Sequence, residues 1–88
     1  GRGPLVAFFP CEGRKGAALL RCHILADALR ARGWRTLVLP SALSLPQRQR
    51  FLRAAAPDLV VMQGARHALN RPELYPDFPI VYDMDDAD

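Results

Sequence analysis

The hydrophobic positions fall into short unbroken runs separated by stretches with a helical period. Leu5-Val6-Ala7-Phe8-Phe9 is a continuous apolar run of strand length between Pro4 and Pro10. Arg35-Thr36-Leu37-Val38-Leu39, stopped by Pro40, reads as a second strand. Asp58-Leu59-Val60-Val61-Met62 and Pro79-Ile80-Val81-Tyr82-Asp83 read as the third and fourth. Ala17 to Arg32 carries the helical period and ends at Gly33, where a left-handed residue is expected. At 100° per residue, Ala18, Cys22, Leu25 and Leu29 form one apolar row and Ile24 and Ala28 the next. His23, Asp27 and Arg30 fall on the opposite face, whereas Arg21 falls inside the apolar arc. Ser44-Leu45-Pro46 has the form of a helix start, with Ser44 as N-cap and Pro46 in the first turn. That helix is expected to end near Ala55 or Ala56, before Pro57. Residues 63–79 read as loop, with a short helical turn near Pro72-Glu73-Leu74.

Apolar strands alternating with helices imply a parallel sheet covered on both faces. The expected fold is α/β: a three-layer Rossmann-like domain over residues 1–88, with a four-stranded parallel sheet in the order 3-2-1-4. Ligands of such sheets bind beyond the carboxyl ends of the strands, where the strand order reverses. In that order the loop at residues 10–16 and the segment 83–88 flank the cleft.

Composition narrows the class. Of 88 residues, 50% are hydrophobic and 24% charged, which excludes a disordered tail, a collagen-like repeat and a disulfide scaffold. The longest apolar runs hold five residues, against roughly 20 for a membrane span. No signal peptide is expected, and the chain reads as a cytoplasmic protein without a transmembrane segment. Both ends look cut, so a piece of a larger two-domain protein is expected. Cys11 and Cys22 lack metal-site spacing and read as buried free thiols, with no metal expected. Residues 1–71 hold all 12 Lys+Arg and three acids, a formal +9. Residues 72–88 hold six acids and no base, a formal −6. The basic residues are almost all Arg and are not interleaved with aromatics, so no nucleic-acid partner is expected.

Three groups could carry chemistry. The loop Gly13-Arg14-Lys15-Gly16 leads into a helix N-terminus and could cradle a phosphate or carboxylate, with Arg21 pointing toward the same cleft. It matches neither Gly-x-Gly-x-x-Gly nor the Walker pattern. Asp83, Asp85 and Asp86 follow the fourth strand as clustered carboxylates, able to bind a cation or to act as base. Gln63 lies just past the third strand, and His67 follows it.

The order of these parts resembles the N-terminal half of a GT-B-type, group 1-like bacterial glycosyltransferase. The stretch from Arg21-Cys22-His23 through Leu25-Ala26-Asp27-Ala28-Leu29 to Gly33-Trp34 is similar to the first helix of those enzymes. Ala56-Pro57-Asp58-Leu59-Val60-Val61-Met62-Gln63 is similar to their Pro-Asp strand, and Pro79-Ile80-Val81-Tyr82-Asp83-Met84-Asp85-Asp86 to their acidic-ended strand. The Gly-Gly-x-Gly-Gly-His loop of some relatives is replaced by Cys11-Glu12-Gly13-Arg14-Lys15-Gly16. The resemblance implies an acceptor-side domain whose cleft is lined by residues 13–16, Arg21 and the Asp83–Asp86 loop. It implies no cofactor in this chain, a sugar or glycolipid-type acceptor, and a nucleotide-sugar donor held by a C-terminal domain outside the sequence. Peripheral membrane association is compatible with such an acceptor. The alternatives are a small Rossmann-like module binding an anion or a protein, and a magnesium-dependent phosphatase fragment, since Asp83-Met84-Asp85 also resembles the nucleophile strand of haloacid-dehalogenase-type enzymes.

Overall fold

The structure, a computed structural model, describes residues 3–11, 19–64 and 67–83, with only the backbone described for residues 19–21 and 83. Strand β1 is Leu5–Phe9. Helix α1 begins as a π-helix over Leu19–Ile24 and continues as an α-helix over Leu25–Ala31. Strand β2 is Arg35–Val38, helix α2 is Leu45–Ala55 and strand β3 is Leu59–Gln63. A 3-10 turn at Pro72–Leu74 precedes strand β4, Ile80–Asp83. Among the described residues, no helix is long and apolar enough to cross a membrane.

All the strands are parallel, and the sheet has the order β2-β1-β3-β4. The expected order 3-2-1-4 is therefore corrected. The third strand returns across β1 instead of pairing outside β2. Polarity explains the exchange. β2 carries Arg35 and Thr36 and is exposed or half-buried along its length, which suits an edge. β1 is buried at all five positions and β3 carries Leu59-Val60-Val61-Met62, so these two take the centre. Asp58 helps set their register: its Oδ2 accepts from Leu5 N at 2.8 Å, and its own N–H donates to Leu5 O at 2.8 Å.

Alternation along β1 divides the core between two faces. Val6 and Phe8 pack under α1 with Cys22 and Ala26. Ala7 and Phe9 pack on the other face with Leu52 of α2, Val60, Met62 and Tyr75. Three layers result. Each fully buried phenylalanine contributes about 1.5–3 kcal/mol.

The local signals place the elements well. Gly33 has φ +92 and ends α1. Ser44 caps α2 in a capping box with Gln47, and Ala56 closes that helix in the left-handed region. The apolar face of α1 differs from the expected one. Cys22, Ala26 and Leu29 meet the sheet, while Ile24 and Leu25 are 47% and 41% exposed. A π-helical turn holds more residues than an α-helical one, so it shifts the phase of everything that follows.

Tyr75 makes the fold sensitive to alkali. Its ring stands edge-on to Phe9, with centroids 5.1 Å apart, and its hydroxyl donates to Leu69 O at 2.7 Å. Burial pushes the hydroxyl pKa above its ordinary value, against the opposing charge of Arg48. A pKa raised in the folded state gives stability that is complete below the unfolded value of about 10 and is lost as pH rises through the folded one. Tyr75→Phe should lose about 1 kcal/mol at neutral pH. It should also flatten the fall in stability between about pH 9 and 11. Urea midpoints across that range check both.

Candidate functional site at the carboxyl ends of the strands

β1 and β3 lie side by side, yet β1 leads to β2 on its other flank. The switch point of the sheet is therefore between β1 and β3, flanked by the loops after Phe9 and after Gln63. The end of β1, from which the first loop leaves, keeps its expected place at the crevice. The third loop replaces the last one as its neighbour, because β4 stands at the far edge.

Gln63 is the sequence-selected residue that sits at this point. It is buried at the end of β3. Its Oε1 accepts from the backbone N–H of Cys11 at 3.1 Å and faces the Cys22 thiol at 4.0 Å. Those two donors fix the amide orientation and turn Nε2 away from them. Nε2 is buried and has no hydrogen-bond partner in the structure described here. Neither cysteine is in a disulfide, and Cys11 is half-buried rather than buried. Gly13, Arg14, Lys15, Gly16, Asp85 and Asp86 lie outside the described residues. Arg21 lies in the π-helical turn and Asp83 ends β4, and their side chains are likewise outside the described set. The expected convergence of the glycine loop, Arg21 and the acidic end is thus not on view, and Gln63 alone is placed.

Beside Gln63 a buried polar network stitches the rim of the sheet together. Arg48, from the second turn of α2, is fully buried. Its Nε donates to Leu43 O at 2.8 Å, Nη1 to Asn70 Oδ1 at 2.8 Å and Nη2 to Ser41 O at 2.7 Å. Its guanidinium also lies 5.4 Å from the centre of the Phe9 ring. Among the described residues no carboxylate pairs with Arg48; carbonyl dipoles and an aromatic face meet its charge. Asn70 is also fully buried, and its Nδ2 donates to Phe9 O, Pro10 O and Gln63 O at 3.0, 3.1 and 2.7 Å. One amide therefore joins the ends of β1 and β3. His67 Nδ1 accepts from Leu69 N at 3.2 Å, which assigns the neutral ring proton to Nε2, and Nε2 donates to Ser41 O at 2.8 Å. The 3.2 Å between Arg48 Nη2 and His67 Nε2 is then the approach of two donors sharing one acceptor.

Arg48 and Asn70 were not among the residues singled out from the sequence. A signal for Arg48 existed. Leu45, Arg48 and Leu52 stand three and seven residues apart, which places the arginine in the middle of the apolar stripe of α2. Asn70 lies in a loop, and no periodicity marks it.

Beside this rim is a pocket of about 490 Å³ lined by Gly64, His67, Ala68, Arg71 and Tyr82. Ile80 packs on the α2 face of the sheet, and alternation puts Tyr82 on that face too. A Cβ at position 64 would collide with the Tyr82 ring and hydroxyl, so the ring lies directly over the glycine. Arg71 presents Nε and Nη2 to Glu73 Oε2 at 3.0 and 2.9 Å on the exposed rim. The Glu73 carboxyl is held below its usual pKa, first by a backbone hydrogen bond and then by the charge of Arg71. Gly64→Ala should displace the Tyr82 ring toward solvent at a cost of about 1 kcal/mol, because the half-exposed edge-strand ring can move. Shifted Tyr82 ring resonances and a slightly lower denaturant midpoint are the expected readings.

Comparison of the chain with protein-family models, with curated proteins and with solved structures found no match.

Proposed function

We propose that the chain is the acceptor-side domain of a glycosyltransferase. It receives a hydroxylated acceptor at the carboxyl ends of β1, β3 and β4, while a second Rossmann-like half holds the nucleotide-sugar. The observation that carries the reading is the buried, unpartnered Nε2 of Gln63 at the switch point of an open parallel sheet. A buried amide N–H left without an acceptor costs about 1–3 kcal/mol, which a ligand oxygen would recover. The sugar-transfer part rests on the likeness of residues 21–34, 56–63 and 79–86 to group 1 enzymes. In this reading residues 13–16 and Arg21 line the cleft beside Gln63, and Asp83, Asp85 and Asp86 follow the edge strand β4 one strand away from it. The cationic groups that stabilise the leaving diphosphate belong to the other half. The 88 residues by themselves then turn nothing over.

The test is the coding frame beyond Asp88 and the protein it encodes. The expected result is a second strand–helix series and a product that releases nucleoside diphosphate from a nucleotide-sugar only when acceptor is present. A stop codon directly after Asp88 sinks the transferase reading. One observation favours the second reading, a binding module: His67 Nε2 is committed to Ser41 O, so the pocket's histidine is a wall and not a free base. A protein complete at Asp88 that binds an anion without turnover would establish that reading instead.

A further inference from the structure

We propose that the pocket between Tyr82 and Arg71 takes a phosphorylated sugar ring, the ring on Tyr82 and the phosphate on Arg71. This deepens the acceptor-side reading and rests on it for the choice of a sugar. The pocket of about 490 Å³ is within the range of small-molecule sites, which runs from about 300 to 1,000 Å³. Its walls hold two recognition elements of different kinds. Tyr82, a residue 37% exposed, offers its aromatic ring as a platform for the C–H face of a sugar. The ring is seated on Gly64, and Ala68 is a small residue on the pocket wall. Arg71 offers a guanidinium with Nη1 outside its pair with Glu73, oriented by that pair at the pocket's edge. His67 donates its Nε2 proton to Ser41 O and so contributes ring surface. Among the described residues the pocket has an aromatic platform, one cation and no free base, which suits binding through a ring and an anion together. Glu73 competes with the ligand for Arg71, so its charge holds the affinity down.

The experiment is a two-dimensional amide NMR titration of the 88-residue chain with glucose 6-phosphate, glucose, inorganic phosphate and adenosine monophosphate. Glucose 6-phosphate should move the amides of Gly64, Ala68, Arg71 and Tyr82, and bind at least about tenfold more tightly than glucose or phosphate. Arg71→Gln should lower its affinity by roughly tenfold and leave glucose unchanged. Glu73→Gln, at an exposed position, should tighten it about two- to threefold. Tyr82→Leu should bring glucose 6-phosphate down to the level of phosphate. A dispersed amide spectrum shows that each variant is folded. Four results overturn the proposal: no binding, phosphate binding as tightly as the sugar phosphate, adenosine monophosphate binding more tightly, or shifts confined to Cys11, Cys22 and Gln63. The last would move the ligand to the switch point and leave the acceptor-side reading standing. A stop codon after Asp88 would remove that reading without touching the titration.

Discussion

Arg48→Ala removes about 3–5 kcal/mol of stability. Leu43 O and Asn70 Oδ1 lose this donor at once, and Ser41 O is left with His67 Nε2 alone. The side chain is fully buried, so its loss also leaves a cavity over Phe9. A domain of this length holds about 4–13 kcal/mol in all, at roughly 0.05–0.15 kcal/mol per residue, so the loss is a large share of the total. Circular dichroism with urea as denaturant measures it. Arg48→Met decides between two terms of opposite sign. Methionine keeps most of the volume and abolishes the cost of burying a charge, but it takes the arginine donor away from Leu43 O, Asn70 Oδ1 and Ser41 O, of which Ser41 O keeps His67. The acceptors win in this geometry, because every nitrogen of the guanidinium is used within 2.8 Å. Arg48→Met should therefore still lose about 2 kcal/mol. A neutral or stabilised methionine variant would show that charge burial dominates. Arg48→Lys should fall near the methionine value, since one ammonium cannot reproduce a planar fork aimed at three acceptors.

Asn70→Ala costs about 3 kcal/mol, and its effect reaches further than its size. The two Asn70 amide protons are shared among Phe9 O at the end of β1, Pro10 O just past it and Gln63 O at the end of β3, and Oδ1 accepts from Arg48. Losing it frees the ends of β1 and β3 from one another at the switch point. Hydrogen exchange should quicken at Leu69 and Asn70 and at the Cys11 amide, which bonds to Gln63. Because Arg48 and Asn70 share a hydrogen bond, the double variant should be less destabilised than the two single losses added together, by about 1–2 kcal/mol. Strict additivity would mean that the two residues act on separate parts of the rim.

Both expectations concern residues that hold the site open without touching a ligand. The network fixes the β2–α2 loop through Ser41 and Leu43 and the β3–β4 loop through His67 and Asn70. A ligand at Gln63 or at Tyr82 meets a rim already paid for by folding.

The candidate site was only partly legible beforehand. Gln63 could be read because it ends an apolar strand at the place where ligands of parallel sheets bind. Tyr82 and Arg71 could not, since one looks like strand core and the other like a solvated charge. They become one pocket only when β4 pairs with β3 and brings Tyr82 over Gly64.

The sequence by itself determined what depends on neighbouring residues. Apolar runs bounded by proline became strands, Ser44 with Gln47 capped α2, Gly33 took the positive φ that ends α1, and Pro72-Glu73-Leu74 made its short turn. Each of those choices is settled by sterics and hydrogen bonds within a few positions. The tertiary structure alone decided the strand order, the face α1 turns to the sheet and the partners of Arg48 and Asn70. These depend on which surfaces compete for the centre of the sheet and on where unpaired carbonyls meet in space. The Asn70 bonds to Phe9 and Pro10 span about 60 residues of chain. Contacts at that separation are set by the packed fold, because no local preference acts across it.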